Sequence, residues 1–120
     1  MSKLTPALGP YAHFSCTDDL IFVSGQIAID ADGKIYNDTS VDVQTRLAME
    51  NLSVVLEEAG TSLAKAVKVN IYLCNMDDFN AMNEVYKTFF PTGTYPARCC
   101  VEVSRLADGL KVEIDAVAQR

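Results

Sequence analysis

Apolar and polar residues alternate along several short stretches of the chain, with the period expected of strands that have one buried face. The stretches "YAHFSC" and "LIFVSG" are separated by the turn-forming residues 17–19, and together they predict a β-hairpin. The stretch "QIAIDADGKIY" predicts a further short strand, with a turn at Asp32-Gly33. Near the middle of the chain, "AVKVNIYLC" alternates strictly and predicts another half-buried strand.

The apolar period changes to that of a helix in two places. After Ser40 it predicts a helix from about residue 41 to 59, with Gly60 able to end it. The apolar stripe of this helix comprises Ala48, Leu52, Val55, Leu56 and Ala59. The segment "MDDFNAMNEVYKTFFP" predicts a second helix, which is capped by Asp77 or Asp78 and ended by Pro91.

The segment "PARCCVEVSRLADGLKVEIDAVA", residues 96–118, predicts two strands joined by a turn. The complete order is then strand, strand, short strand, helix, strand, helix, strand, strand. This order favours an α+β fold, in which a mixed and mostly antiparallel sheet carries both helices on one face. The chain shows no repeat, low-complexity tract or linker, so we expect a single domain over residues 1–120.

One face of the predicted sheet has no helix to cover it. On the three later strands, alternation assigns to this face Lys68, Asn70, Tyr72, Cys74, Arg98, Cys100, Glu102, Ser104, Lys111, Glu113, Asp115 and Val117. The face could be solvated, with cross-strand ion pairs each worth less than about 1 kcal/mol. It could equally pack against other subunits and form pockets at the seams. The pattern alone leaves both interpretations open.

Composition narrows the class of protein. The chain has 120 residues, 49% of them hydrophobic and 22% charged, which predicts a soluble globular protein with its own core. The formal net charge is −6 and no basic run occurs, which disfavours nucleic acids and anionic membranes as partners. No signal peptide or membrane span is evident, and the four cysteines lack zinc-ligand spacing. We therefore expect free thiols in a reducing compartment, the cytoplasm.

Six stretches occur in an order and spacing that are specific together, although none is diagnostic alone. They are "ALGPYAH", "IFVSGQIAID", "DVQTRLAMENLSVVLEEAG", "VKVNIYLCNMDDFNAMNEVYKTFF", "PARCCVEVSRL" and "KVEIDAVA". In them the chain resembles the RidA/YjgF family of reactive-intermediate deaminases. The resemblance implies a chorismate-mutase-like homotrimer with the sheets facing inward and active sites between subunits. It also implies hydrolysis of 2-imino acids such as 2-iminobutanoate and 2-iminopropanoate, or their enamine tautomers, to 2-oxo acids and ammonia.

The resemblance implies functional roles for six residues. Arg98 would grip the substrate carboxylate, and Glu113 would position or activate the attacking water. Cys100 would line the site, and Tyr11, Ser24 and Asn83 would supply hydrogen bonds or shape. No metal or organic cofactor is implied, and the sequence offers no site for one.

These residue types suit the chemistry. Arginine offers a charged, rigid fork that meets both oxygens of a carboxylate, and glutamate can take a proton from water. Each residue also has a structural alternative. Arg98 could serve a subunit interface, and Glu113 could simply pair with Lys111 or Arg98. Cys100 is better explained by packing than by nucleophilic attack, because no histidine accompanies it. Tyr11 and Asn83 could serve packing or a helix surface, and Ser24 could serve a turn.

Three positions depart from the family pattern: His13, Cys99 and Ala107. They leave substrate preference and loop rigidity open. The main alternative function is a small-carboxylate-binding protein of the same fold, regulatory or chaperone-like, without turnover. Ribonuclease activity is disfavoured by the net charge and by the absence of a basic cluster.

Overall fold

A computed structural model describes residues 4–120 as a five-stranded sheet with two helices against one face. The strands are β1 (Phe14–Cys16), β2 (Leu20–Gln26), β3 (Ala66–Leu73), β4 (Ala97–Glu102) and β5 (Val112–Gln119), and the helices are α1 (Val41–Glu58) and α2 (Phe79–Tyr86). The strand order is β1-β2-β5-β3-β4. Only β3 and β4 pair in parallel, which confirms the predicted mixed and mostly antiparallel α+β class.

The core lies between the sheet and the helices. Ser40 caps the start of helix α1, where its hydroxyl accepts a hydrogen bond from the Val43 backbone N–H, and Gly60 follows the end of the helix with a φ of 87°. The predicted course of this helix is therefore confirmed. The buried core includes Ile21, Val23, Ala48, Met49, Leu52, Val55, Leu56, Val69, Ile71, Leu73, Met82, Val112, Ile114 and Ala116.

Helix α2 is shorter than its sequence pattern predicts. The segment from Met76 to Pro91 contains α2 between two 3₁₀ turns, Met76–Asp78 and Lys87–Phe89. Asp78 occupies the N-cap position of α2, as predicted, but its side chain makes no capping hydrogen bond. The side chain of Asn75 caps the preceding 3₁₀ turn and accepts from the Asp77 backbone N–H at 2.9 Å. The continuous helix predicted for this segment is thus a shorter α-helix flanked by two 3₁₀ turns.

Two predicted features of the sheet are wrong. The last two strands, predicted as joined by a turn, are not neighbours in the sheet, because β3 lies between β4 and β5 and pairs with both. The short strand predicted in residues 26–36 is reduced to one bridge between Ile29 and Ile35. The carboxylate of Asp30 accepts hydrogen bonds from the backbone N–H groups of Asp32 and Lys34, which turns the segment back on itself instead of along the sheet.

The predicted face of β4 is also wrong. The parallel register places Arg98 beside the core residue Val69, and Cys100 beside Ile71. These side chains, with Glu102 beside Leu73, therefore lie on the helix-covered face. The prediction assumed that apolar Val101 would be the buried residue, but its side chain is 41% exposed on the other face. Alternation fixes which residues share a face and not which face the helices cover.

The uncovered face of the sheet, here named the open face, carries the expected polar residues of β3 and β5. Asn70, Tyr72, Glu113 and Asp115 lie there, all of them half-buried. The exposed ring of Phe22 on β2 lies on the same face. No helix within residues 4–120 is long and apolar enough to cross a bilayer.

Candidate active site

The six residues singled out in the sequence form two groups on opposite faces of the sheet. Arg98 and Asn83 belong to a cavity on the helix side, near the edge strand β4, with Cys100 beside Arg98 on the strand. Tyr11, Ser24 and Glu113 line a concavity at the open face, beside β2 and β5. The structure therefore does not bring Arg98 and Glu113 together within one chain, contrary to the sequence-based expectation of a shared face.

We name the first group the arginine half-site, defined by Asn83, Tyr86, Tyr95, Pro96 and Arg98. Its central feature is the guanidinium of Arg98, which lies over two aromatic rings of α2. The guanidinium carbon is 4.8 Å from the ring centroid of Tyr86 and 5.7 Å from that of Phe79. These distances fall within the range of cation–π contact.

Arg98 has no acidic partner among residues 4–120, where the only salt bridges join Arg46 to Glu50 and Lys87 to Glu84. A half-buried arginine is normally paired, because an unpaired charge is costly to desolvate. The aromatic rings stabilise this charge without occupying its N–H donors. The fork of Arg98 is consequently available to an anion such as a carboxylate.

The cavity beside Arg98 has a volume of about 340 Å³ and is lined by Asn83, Glu84, Tyr86, Lys87, Tyr95, Pro96 and Arg98. Two buried polar atoms next to it, Asn83 Oδ1 and the Tyr86 hydroxyl, have no hydrogen-bond partner in the described chain. Burial raises the pKa of Tyr86 to about 12, although the charge of Arg98 opposes the shift. The phenol is therefore a neutral hydrogen-bond donor at physiological pH.

Cys100 has the environment of a packing residue. Its side chain packs against the core beside Ile71, and burial raises the pKa of its thiol. The nearby positive charge of Arg98 lowers that pKa but does not outweigh burial. Because the thiolate is the nucleophilic form of cysteine, this environment disfavours covalent catalysis.

The second group, defined by Leu8, Tyr11, Ser24, Gly25 and Glu113, is named the glutamate half-site. It lines a concavity of about 450 Å³, to which Ile27 and Ala107 also contribute. Tyr11 is 48% exposed, and its hydroxyl oxygen accepts a hydrogen bond from the Leu8 backbone N–H. The Ser24 hydroxyl donates to the Ala12 carbonyl at 2.7 Å. The first bond lies within the segment before β1, and the second ties that segment to β2.

A β-bulge brings two neighbouring residues of β2 to this half-site. In the pairing of β2 with β5, Val23 lies opposite Ala116 and Gln26 lies opposite Ile114. Ser24 and Gly25 therefore stand opposite a single residue of β5, which is the definition of a bulge. Both residues line the concavity, whereas strict alternation would direct only one of them there.

The carboxyl group of Glu113 keeps its proton to a higher pH than an ordinary glutamate, because its pKa is raised. Burial raises its pKa, and the negative charge of Asp115, two residues along the same face, raises it further. Asp115 is itself held in place, because Asn70 donates to its Oδ1 at 2.8 Å and the Tyr72 hydroxyl donates to its Oδ2 at 3.0 Å. A carboxyl group with a raised pKa suits general acid–base work near neutral pH.

Comparisons with known proteins identify the family. The model of the family described as "Endoribonuclease L-PSP" matches residues 2–120 of the chain. The chain belongs to this family, also known as the RidA/YjgF family. The resemblance seen in the sequence is thereby confirmed.

Three relatives within the RidA/YjgF family illustrate the similarity. The RutC family protein y4sK of Sinorhizobium fredii is 43% identical over 92% of this chain and 87% of its own length. "Putative reactive intermediate deaminase TdcF" of Escherichia coli K12 is 39% identical over 95% of this chain and 89% of its own. The crystal structure of E. coli TdcF with bound serine has a TM-score of 0.91 at 38% identity and covers 98% and 93% of the two chains. A protein of Thermotoga maritima described as a "putative endoribonuclease" has a TM-score of 0.92 at 37% identity over 98% and 92%.

For this RidA/YjgF chain, inspection of the sequence missed two residues that shape the half-sites. Tyr86 fits the apolar period of the second helix, and Gly25 has no side chain for a sequence pattern to single out. Tyr86 could have been found, because it lies three residues after Asn83 and therefore on the same side of the helix. Gly25 could not, because its role depends on what approaches it from β5. Groups of three or more potential metal-ligating side chains are absent from residues 4–120.

Proposed function

We propose that this protein is a deaminase that hydrolyses 2-imino acids, such as 2-iminobutanoate and 2-iminopropanoate, to 2-oxo acids and ammonia. The observation that carries the proposal is the free guanidinium of Arg98, held over aromatic rings beside a cavity. It supplies the recognition that a small planar carboxylate needs. The half-buried carboxyl of Glu113 supplies the acid–base group. The "reactive intermediate deaminase" name of the TdcF relative agrees with this assignment.

The active site in this proposal is shared between subunits of a homotrimer. Arg98 and Glu113 lie on opposite faces of one sheet, with β3 between their strands, so one small substrate cannot meet both in a single chain. The cationic half-site of one subunit would instead meet the anionic half-site of its neighbour. Exposed apolar side chains of the open face, Phe22 and Val101, support burial of that face against another copy.

The reaction needs one water molecule and no oxidant or reductant. Arg98 holds the substrate carboxylate beside the C=N carbon. Glu113 accepts a proton from water as the water oxygen bonds to that carbon, the electrons of the C=N double bond move to the nitrogen, and Glu113 returns the proton to that nitrogen to give the carbinolamine. Glu113 then takes the proton of the carbinolamine hydroxyl and passes it to the amino nitrogen as the C–N bond breaks, so that ammonia and the 2-oxo acid leave. A positioned general base of this kind typically contributes about 10²–10⁴-fold.

The alternative is a protein that binds small carboxylates in the same site without turnover. The serine-bound structure of TdcF shows a small amino acid on a relative and favours this alternative at the level of binding. Both functions would use Arg98, and they differ in whether bound imine is consumed. The four free cysteines, of which Cys16 and Cys99 are exposed, suit the reducing cytoplasm as the proposed location of either.

The test generates 2-iminobutanoate in situ with a threonine dehydratase and follows its decay with and without the protein. Accelerated decay at micromolar protein supports the deaminase, whereas calorimetric binding of 2-oxobutanoate without acceleration supports the binding protein.

The shared site is tested by subunit mixing. R98A and E113Q are each expected to be inactive as pure proteins.

When R98A and E113Q are refolded together in equal amounts, a shared site predicts recovered activity. A site works only if its Arg98 comes from an E113Q subunit and its Glu113 from an R98A subunit, so random mixing restores about a quarter of wild-type activity. The matched control is a 1:1 mixture refolded from R98A and an R98A/E113Q double variant. That control must stay inactive, and equal inactivity of the test mixture would contradict the shared site.

A further inference from the structure

Gly25 lies where the bulge brings β2 closest to the carboxyl group of Glu113. A Cβ atom built on Gly25 would stand 2.2 Å from Glu113 Oε2, 2.7 Å from the carboxyl carbon and 3.0 Å from Cγ. The separations from Oε2 and from the carboxyl carbon are shorter than real Cβ atoms show, and that from Cγ is tighter than an ordinary carbon–carbon contact of about 3.5–4.0 Å. Glu113 therefore cannot keep its position beside any residue larger than glycine.

Backbone conformation does not explain this glycine. The glycines with a positive φ among residues 4–120 are Gly33, Gly60, Gly93 and Gly109. Gly25 is not one of them, and it lies within strand β2, where other residues are readily accommodated. The requirement for glycine at this position thus comes from the neighbouring side chain.

The clash would be relieved by movement of Glu113 and not of the strands. Strand β5 is fixed at this point by its pairing with β3, where Tyr72 lies opposite Glu113, and by the fully buried Ile114. The end of the glutamate side chain is flexible and borders a concavity of about 450 Å³. An added methyl group would therefore push the carboxyl group out of its half-buried position.

We propose that Gly25 is a positioning residue, whose missing side chain provides the space that holds the Glu113 carboxyl group against β2. The catalytic consequence of this role rests on the proposed deaminase function. The steric role itself does not, because it follows from the distances between β2 and β5. The proposal therefore has one test with substrate and one without.

The test without substrate follows the ¹³C resonance of the Glu113 side-chain carboxyl through a pH titration of the wild-type protein and of G25A. E113Q assigns the resonance. We expect the apparent pKa of Glu113 to fall in G25A towards that of an ordinary glutamate, because the displaced carboxyl becomes hydrated. The melting temperature should stay within about 3 °C of wild type, because the displaced group is flexible. An unchanged titration curve in G25A would overturn the proposal.

The test with substrate compares G25A, E113D and the G25A/E113D double variant. G25A should lower kcat on the order of tenfold or more, with a smaller change in KM, because it displaces the proton acceptor and spares carboxylate binding at Arg98. The shorter side chain of E113D withdraws the carboxyl from β2, so G25A should cost much less in that background. Equal costs of G25A in both backgrounds would overturn the proposal. An inactive wild type with an altered titration in G25A would instead remove the deaminase function and leave the steric role standing.

Discussion

The arginine half-site and the glutamate half-site present opposite charges in contrasting surroundings. Arg98 lies on an edge strand beneath a helix, against aromatic rings that leave its donors free. Glu113 lies on a central strand among polar side chains, against a glycine that leaves it room. The first arrangement keeps a permanent charge available, and the second tunes a charge that can be switched by pH. The contrast matches a division between holding a substrate and moving a proton.

The largest effect should follow from removing the permanent charge. R98A should lower kcat/KM on the order of 10²–10³-fold, about 3–4 kcal/mol, because the substrate carboxylate loses its charged partner. R98K should recover only part of this loss, since an ammonium group cannot meet both carboxylate oxygens in a fixed geometry. Steady-state kinetics on 2-iminobutanoate measures both variants.

The matched control for R98A is R46A. Arg46 is an exposed arginine of α1 that pairs with Glu50, four residues away, at 3.4 Å. Loss of this surface pair should leave kcat/KM unchanged. If R46A and R98A lowered kcat/KM equally, the special character assigned to the arginine half-site would be refuted.

A smaller effect should follow from removing the aromatic support of Arg98. Y86L should raise KM about fivefold with little change in kcat, because the loss of a cation–π contact of about 1 kcal/mol leaves the guanidinium less ordered. Y86F keeps the ring, as well as its contact with Phe90 at 5.0 Å, and its KM should stay within about twofold of wild type. Identical KM values for Y86L and Y86F would show that the ring does not position Arg98.

The smallest effect concerns the pH dependence of stability that ionisation of Glu113 causes. A glutamate whose pKa is raised by folding binds its proton more tightly in the folded state, so stability falls as pH rises from the unfolded pKa through the folded one. E113Q carries a neutral amide in place of the protonated carboxyl group, so its stability should not fall over this pH range. It should resist urea better than wild type at pH 7, with the difference vanishing below about pH 4.

Urea unfolding at both pH values, at one protein concentration, measures this difference. E113D is the companion variant, because it keeps the charge and should retain a pH dependence. An advantage of E113Q that persisted unchanged at the lower pH would mean that ionisation of Glu113 is not its cause.

Much of the fold was predictable because its patterns are local. The stripe of α1 and the alternation of β3 specify their elements by themselves, and both were confirmed. Which face of β4 lies beneath the helices was not predictable. Alternation places Arg98 and Val101 on opposite faces, whichever of the two faces is covered. Only the parallel register beside Val69, set by the crossover through α2, decides that the arginine is the residue beneath the helix.

The candidate site was predictable as a set of residues and not as an arrangement. Resemblance to the family singled out six residues. The structure places Arg98 and Asn83 in one half-site and Tyr11, Ser24 and Glu113 in the other, whereas Cys100 lies beside Arg98 on β4 and lines neither. Cys100 shows the limit most clearly, since its sequence position beside Cys99 attracts attention while its surroundings are those of a packing residue. Gly25 acts by leaving space for the side chain of Glu113. That space lies between two strands distant in sequence, so the residue pattern of neither strand predicts it.

The position of β5 in the sheet has a consequence for how the chain acquires its structure. This strand follows the other four in sequence yet occupies the centre of the sheet, where Leu20 of β2 pairs with Gln119. During synthesis β5 must therefore emerge from the ribosome before β2 and β3 can be connected in one sheet, and until then the hairpin of β1 and β2 lacks its neighbouring strand. Such distant pairing slows folding relative to helical proteins of similar size. Nascent chains stalled before residue 112 should accordingly lack the strand that connects β2 with β3.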